Sequence, residues 1–281
     1  MPHNLSKTRV LVAENGIIVG KSVVGALDAF GFTDIERVGT AAEARARLTG
    51  RRVDLVALNA DFDGGAGADL VRAIRNCELH ADPFPVILMI VTRPDEARIK
   101  AALHSGADDI VVVPFTRESF HERMALYLED RKPFIVTHDY IGPDRRAAPR
   151  PGEASAAHHM VPNPVRSRAV GQSEERYAAA AQAAHRKLTA ARTSSLAKAV
   201  QWEIRAIQAA VNSSVPDSQL ALRVARLDQF AEEMIDCSEG DSTQVRGFQA
   251  ALIPYRRRPE QLGPAEVAAL MMQAQAAFAA P

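Results

Sequence analysis

The sequence predicts a doubly wound α/β domain followed by a basic connector and a helical bundle. Three observations carry this. Short β-branched runs alternate with amphipathic stretches over about residues 8–130, Pro, Arg, His and Gly crowd residues 131–172, and alanine-rich sequence with helical periodicity fills residues 173–281. Strict alternation of strand and helix signals argues for a parallel sheet covered on both faces.

The predicted strands are 9–13, 34–38, 53–58, 85–91 and 110–113. After the first, Ile18, Val19, Val23, Leu27 and Phe30 recur at helical spacing, and Gly31 ends that helix because glycine takes the left-handed conformation without cost. Thr40 caps the second helix, with Ala41, Ala44 and Leu48 as its apolar stripe. Leu70, Val71 and Ile74 mark the third, Ile99, Ala102 and Leu103 the fourth, which Gly106 closes, and Phe120, Met124 and Leu128 the fifth. In such folds ligands bind beyond the carboxyl ends of the strands. The positions of interest are therefore Glu14 and Asn15, Asn59, Ile90 and Val113.

Five segments, in order, resemble the receiver domain of two-component response regulators. Val10-Leu11-Val12-Ala13-Glu14-Asn15 is similar to its first strand and acidic pair. Asp54-Leu55-Val56-Ala57-Leu58-Asn59 is similar to the strand that leads to the phosphoacceptor. Gly67-Ala68-Asp69-Leu70-Val71-Arg72 and Pro85-Val86-Ile87-Leu88-Met89-Ile90 resemble the third helix and fourth strand. Gly106-Ala107-Asp108-Asp109-Ile110-Val111-Val112-Val113-Pro114-Phe115 resembles the segment ending in Lys-Pro-Phe. The resemblance implies a CheY-like five-stranded fold. It also implies a site in which two acids and an aspartate hold magnesium, a lysine neutralises the phosphoryl group, and a hydroxyl reports on it.

Measured against that pattern, Glu14 keeps one acid and Asn15 replaces the other. Asn59 stands for the phosphoacceptor, Ile90 for the hydroxyl, Val113 for the lysine, and Ile110 for the aromatic of the fifth strand. A neutral carboxamide is not a phosphoryl acceptor. Asp61 and Asp63 are alternative acceptors or metal ligands and Thr92 an alternative hydroxyl, although none of them restores the lysine. The expectation is a pseudo-receiver held in one state, with no metal, no cofactor and no catalytic residues, that docks protein partners through the face of the fourth helix, fifth strand and fifth helix.

In the connector, Arg145, Arg146 and Arg150 have the spacing of the arginine motif that opens a PilZ domain, which binds cyclic di-GMP. Guanidinium groups clamp phosphates and stack on guanine. The strand motif that should follow has its nearest match at Asp236-Cys237-Ser238-Glu239-Gly240, one residue short. A second-messenger site on these arginines is therefore the alternative function, with a solvated linker as the bland one.

In the C-terminal region, Tyr177, Ala181, Ala184 and Leu188 and then Leu196, Val200, Ile204, Ile207 and Val211 stripe one long helix. Pro216-Asp217 opens a second, with Leu220, Val224, Leu227, Ala231 and Met234. Val245, Phe248 and Leu252 mark a third helix, and Val267, Leu270, Met271 and Phe278 a fourth after Gly263-Pro264. Such stripes need a bundle or a dimer to cover them. His185 sits in a poor phosphotransfer context and reads as an exposed helix residue, and Trp202 as a packing anchor. Formal net charge is zero, and Cys77 and Cys237 match no metal-ligand spacing. No helix-turn-helix with a basic recognition helix, membrane span or signal peptide is evident. The expected protein is cytoplasmic. Its expected partners are signalling proteins or a second copy, through the receiver face or the bundle, and not DNA.

Overall fold

The computed structural model describes residues 4–146, 157–213, 218–237 and 242–278. The chain forms two compact units, Met1–Val136 with Tyr140–Lys187, and Thr137–Asp139 with Leu188–Pro281.

The first unit is built on five parallel strands: β1 (Arg9–Ala13), β2 (Asp34–Val38), β3 (Leu55–Asn59), β4 (Val86–Val91) and β5 (Asp109–Val112), in the order β2-β1-β3-β4-β5. Between them run α1 (Ile17–Phe30), α2 (Ala41–Gly50), α3 (Gly67–Arg75) and α4 (Glu96–His104), and α5 (Arg117–Glu129) follows β5. Side chains alternate across a strand, so each strand feeds two cores. Val10, Val12, Leu55, Ala57, Leu88 and Ile90 meet Val23 and Leu27 of α1 and Phe120 and Met124 of α5. Leu11, Val56, Leu58, Ile87 and Met89 meet Ala44 and Leu48 of α2, Leu70 and Ile74 of α3, and Ala102 of α4. Each fully buried large apolar side chain stabilises the fold by about 1.5–3 kcal/mol.

The helix ends follow the signals in the sequence. Thr40 accepts from the Glu43 N–H while the Glu43 side chain reaches back to the Thr40 N–H, a complete capping box. Gly31 ends α1 with φ 113°, a conformation that L side chains rarely adopt. Two side chains depart from the expected stripes. Ile18 is 82% exposed and Leu103 is exposed. Ile18 falls in the first turn of α1, off the stripe that Val23 and Leu27 present to the sheet.

The basic connector, residues 131–172, is folded where it is described. Arg131 is buried, and Phe134 is fully buried in β6 (Phe134–Val136), which pairs antiparallel with β7 (Ile141–Pro143). α6 (Pro164–Ala169) follows, with Asn163 as its N-cap and Val165 buried. The reason is electrostatic. Asp108, buried at the amino end of β5, accepts from Arg75 (Nη2–Oδ2 2.8 Å) and Arg131 (Nε–Oδ1 2.9 Å), and both guanidiniums lie about 5 Å from the Phe134 ring. Asp54, also buried, binds Arg52 (2.6 Å) and Arg168 (3.2 Å). Arginines that look solvated in a linear reading are the counterions of buried acids.

α7 (Glu174–Val211) begins in the first unit, where Tyr177 is buried under the Arg52 guanidinium (3.7 Å to the ring centroid). Burial holds the Tyr177 hydroxyl well above the usual tyrosine range. His185 is half-buried rather than exposed, with Nε2 3.3 Å from Cys77 Sγ.

The second unit gathers Leu196, Val200, Ile204 and Ile207 of α7 with α8 (Leu220–Cys237), α9 (Thr243–Leu252) and α10 (Pro264–Ala277) around one apolar core. Glu203 is buried there and pairs with Arg223 (2.9 Å) and Arg226 (3.0 Å). Trp202 is 60% exposed, with Arg223 over its ring, and is not the anchor expected of it. Glu203, its neighbour in sequence, takes the inward position. The predicted helix start at Pro216-Asp217 and the break at Glu239-Gly240-Asp241 lie outside the described residues. Among the described residues no helix is long and apolar enough to cross a membrane.

Candidate functional site

Strand register assembles the site. Ala13 pairs with Leu58, and Asn59 pairs with Ile90, so Glu14, Asn59 and Ile90 lie side by side at the carboxyl edge of the sheet. The order in which successive strands are added across the sheet reverses between β1 and β3, since β2 lies beyond β1 and β4 beyond β3. A parallel sheet opens its crevice at such a switch point.

The groups in this crevice satisfy one another. Asn59 Nδ2 donates to Glu14 Oε2 at 2.6 Å. The other Glu14 oxygen accepts the Gly16 N–H at 2.6 Å, and Asn59 Oδ1 accepts the Asp61 N–H at 2.8 Å. Both side chains are buried, Glu14 3% and Asn59 5% exposed. Arg37 of β2 donates to the Glu14 and Gly16 carbonyls, tying the β1–α1 turn to the sheet. Gly67 is needed behind Asn59: a Cβ there would stand 2.5 Å from the Asn59 carbonyl oxygen.

The remaining positions differ in character. Asn15 is exposed. Ile90 is buried and Val113 partly buried, and both join the apolar core under α1 and α5, where Phe115 also packs. Ile110 packs into the opposite core. The two positions that carry polar groups in the resembling family are thus part of the hydrophobic packing here.

The alternative acceptors are engaged elsewhere. Asp61 Oδ1 accepts from Arg98 Nε (2.8 Å) and Oδ2 from Arg93 (3.1 Å). The Arg98 hydrogen bond, more than any other influence, holds the Asp61 carboxyl below the usual aspartate range. Asp63, in the left-handed region with φ 46°, accepts the Ala41 N–H at the start of α2 (2.8 Å). Thr92 is half-buried just beyond β4.

The residues do not suit the magnesium that the receiver fold implies. That cation takes hard, anionic oxygen ligands. The carboxylate here already faces an amide N–H, and the neighbouring side chain presents a donor where a second carboxylate would be needed. Among the described residues there is no group of three or more His, Cys, Asp or Glu placed to hold a metal.

Of the three arginines of the connector motif, Arg145 and Arg146 are described. The Arg145 guanidinium donates to the Ala107 carbonyl. The Arg146 N–H donates to Asp144 (2.9 Å), which His158 also bonds (2.6 Å). Arg150 lies outside the described residues. Sequence reasoning missed Arg93 and Arg98, whose signal was their place just after β4 and at the start of α4, beside the crevice.

Residues 10–125 match the family described as the response regulator receiver domain. The fold agrees, and this part of the chain is a receiver domain. The chain is 32% identical over 111 residues to the phosphate regulon transcriptional regulatory protein PhoB of Rhizobium meliloti, covering 40% of this chain and 48% of PhoB. It is 30% identical over 109 residues to the DNA-binding response regulator MtrA of Mycolicibacterium smegmatis, covering 39% of this chain and 45% of MtrA. The chain spans about half the length of these curated relatives. A solved response regulator from Thermotoga maritima aligns at 25% identity with a TM-score of 0.37, over 42% of this chain and 94% of that one. These relatives are signalling regulators by name. They overturn one expectation, that DNA is not a partner, because a receiver of this kind accompanies a DNA-binding function in MtrA. Composition could not reveal that, since a balanced net charge averages over any local basic surface.

Proposed function

We propose that this receiver is a signalling adaptor that works in one fixed state, without phosphorylation or turnover, through contacts with proteins of a two-component-type pathway. One observation carries the reading: the buried 2.6 Å hydrogen bond from Asn59 to Glu14. A receiver that cycles through phosphorylation needs an unencumbered carboxylate at the end of β3. Here a neutral carboxamide stands there, unable to form an acyl phosphate, and its donor already satisfies the one remaining acid. Ile90 and Val113 supply apolar packing where a phosphoryl group would need a hydroxyl and a cation. With no phosphoryl group to gain or lose at the crevice, no phosphorylation-driven shift of population follows.

The test is incubation of the full chain with acetyl phosphate and magnesium, beside an intact receiver as control, read by intact mass and peptide mapping. The expected result is a phosphoryl adduct on the control alone. An adduct at Asp61, Asp63 or any crevice residue would overturn the reading. DNA belongs among the partners assayed, in a gel-shift arm with genomic fragments, because relatives with this receiver include regulators named as DNA-binding.

A further inference from the structure

A continuous run of hydrogen bonds crosses the carboxyl edge of the sheet from α1 to α4. The Gly16 N–H bonds one oxygen of Glu14, and Asn59 Nδ2 bonds the other. Asn59 Oδ1 takes the Asp61 N–H, and Asp61 Oδ1 takes Arg98 Nε. Arg98 continues to Asp95, the N-cap of α4, and Arg93 closes on the second Asp61 oxygen.

Donors and acceptors must alternate along such a run. A carboxamide at 59 can donate to Glu14 and accept from Asp61 at once, whereas a carboxylate can only accept. An aspartate there would face Glu14 with like charge, and an apolar residue would leave both neighbours unpaired. Asn59 is therefore a working part of the crevice as well as a lost phosphoacceptor.

The far end of the run matters because few apolar side chains hold α4: Ala102 and, partly buried beside it, Ile99. Ala102 is the one buried residue of that helix. An element with few buried apolar contacts opens locally at low free energy unless polar contacts restrain it.

We propose that this run is a lock that fixes α4 at the edge of the receiver, with Asn59 as its two-way link and Asp61 as the anion on which Arg98 of α4 and Arg93 just before it close. The proposal rests on the reading above that the crevice is not phosphorylated, and it supplies the physical means by which one state is kept.

Hydrogen exchange by mass spectrometry on the full chain tests it. Asp61→Ala should speed exchange of the α4 amides about 10-fold, the effect of losing a charge-assisted hydrogen bond, while β3 and β4 stay protected. Arg98→Gln should do the same from the other side, which covers the case in which Asp61→Ala does not fold. Asp63→Ala should speed exchange in α2 and leave α4 as in the wild type. The lock is refuted if α4 exchange in Asp61→Ala, or in Arg98→Gln, stays within a factor of about two of wild type while the sheet is intact. The two ideas fail separately. A phosphoryl adduct on the wild type removes the adaptor reading whatever α4 does, and unchanged α4 exchange without an adduct removes the lock alone.

Discussion

Replacing Asp108 with Asn keeps the shape of one side chain and removes the acid that pairs with two buried arginines. Asp108 Oδ1 accepts from Arg131 Nε (2.9 Å), and Oδ2 accepts from Arg75 (2.8 Å), Arg131 (3.1 Å) and the Ile87 N–H (2.8 Å). The side chains of Asp108, Arg75 and Arg131 are 2%, 1% and 3% exposed. In the better orientation of the new amide, its NH2 takes the Oδ1 place and meets the Arg131 Nε–H head on. One charge-assisted bond then becomes a donor–donor contact, and both guanidiniums stay buried without a counterion. Breaking a buried pair in this way costs about 3–5 kcal/mol. Burial, the largest single influence, raises the Asp108 carboxyl, but Arg131, Arg75 and the hydrogen bonds together hold it below its ordinary 3.8. An acid with a lowered folded pKa stabilises the fold above its unfolded pKa and loses that contribution as pH falls through the folded one. The gap between wild type and Asp108→Asn should therefore be full above pH 3.8 and close below it. Urea unfolding followed by far-ultraviolet circular dichroism at several pH values measures this. The fluorescence of Trp202, the single tryptophan, lies in the second unit and reports that unit separately. A loss under about 1 kcal/mol at neutral pH, the range of ordinary point mutants, would refute the claim that this triad holds residues 131–136 to the sheet.

Three further outcomes are expected. Asn59→Asp places two carboxylates at the present 2.6 Å hydrogen-bond separation, which raises the pKa of one of them. It should destabilise by about 1–3 kcal/mol at neutral pH and progressively less as the pH is lowered and the shared proton returns, read by thermal melts across pH. Gly67→Ala drives a methyl to within 2.5 Å of the Asn59 carbonyl oxygen and 2.9 Å of that of Ala60, both backbone atoms. A melting temperature lowered in step with about 1–3 kcal/mol is expected, and an unchanged one would contradict the packing described. Glu203→Gln removes the charge that Arg223 and Arg226 share in the second unit. Trp202 fluorescence in urea should show that unit weakened by about 1–2 kcal/mol, with the receiver transition unmoved.

Most of the receiver was legible in the sequence because local rules and global fold agree there. β1 and β2 lie where the β-branched runs placed them, and Thr40 and Gly31 act as the capping residues their types imply. The positions of Glu14, Asn59, Ile90 and Val113 at the carboxyl edge also followed from the strand-and-helix pattern, because a parallel sheet leaves no other edge for them. Residue identity also showed which charged groups of the resembling pattern the sequence lacks, but not that Arg93 and Arg98 close on Asp61 beside the crevice.

Tertiary structure decided what those side chains do. That the Asn59 amide donates to Glu14 while accepting from Asp61 depends on a β1–β3 register that pairs residues 45 positions apart. The fate of the arginines was likewise hidden. Arg131 and Arg168 read as solvated connector, yet each binds a buried aspartate 23 and 114 residues away, respectively. Trp202 faces outward and Glu203 inward because helix rotation against its neighbours, and not hydrophobicity alone, chooses the inward face. Periodicity reports which residues share a face, whereas the partner of a charge is set by where the folded chain returns.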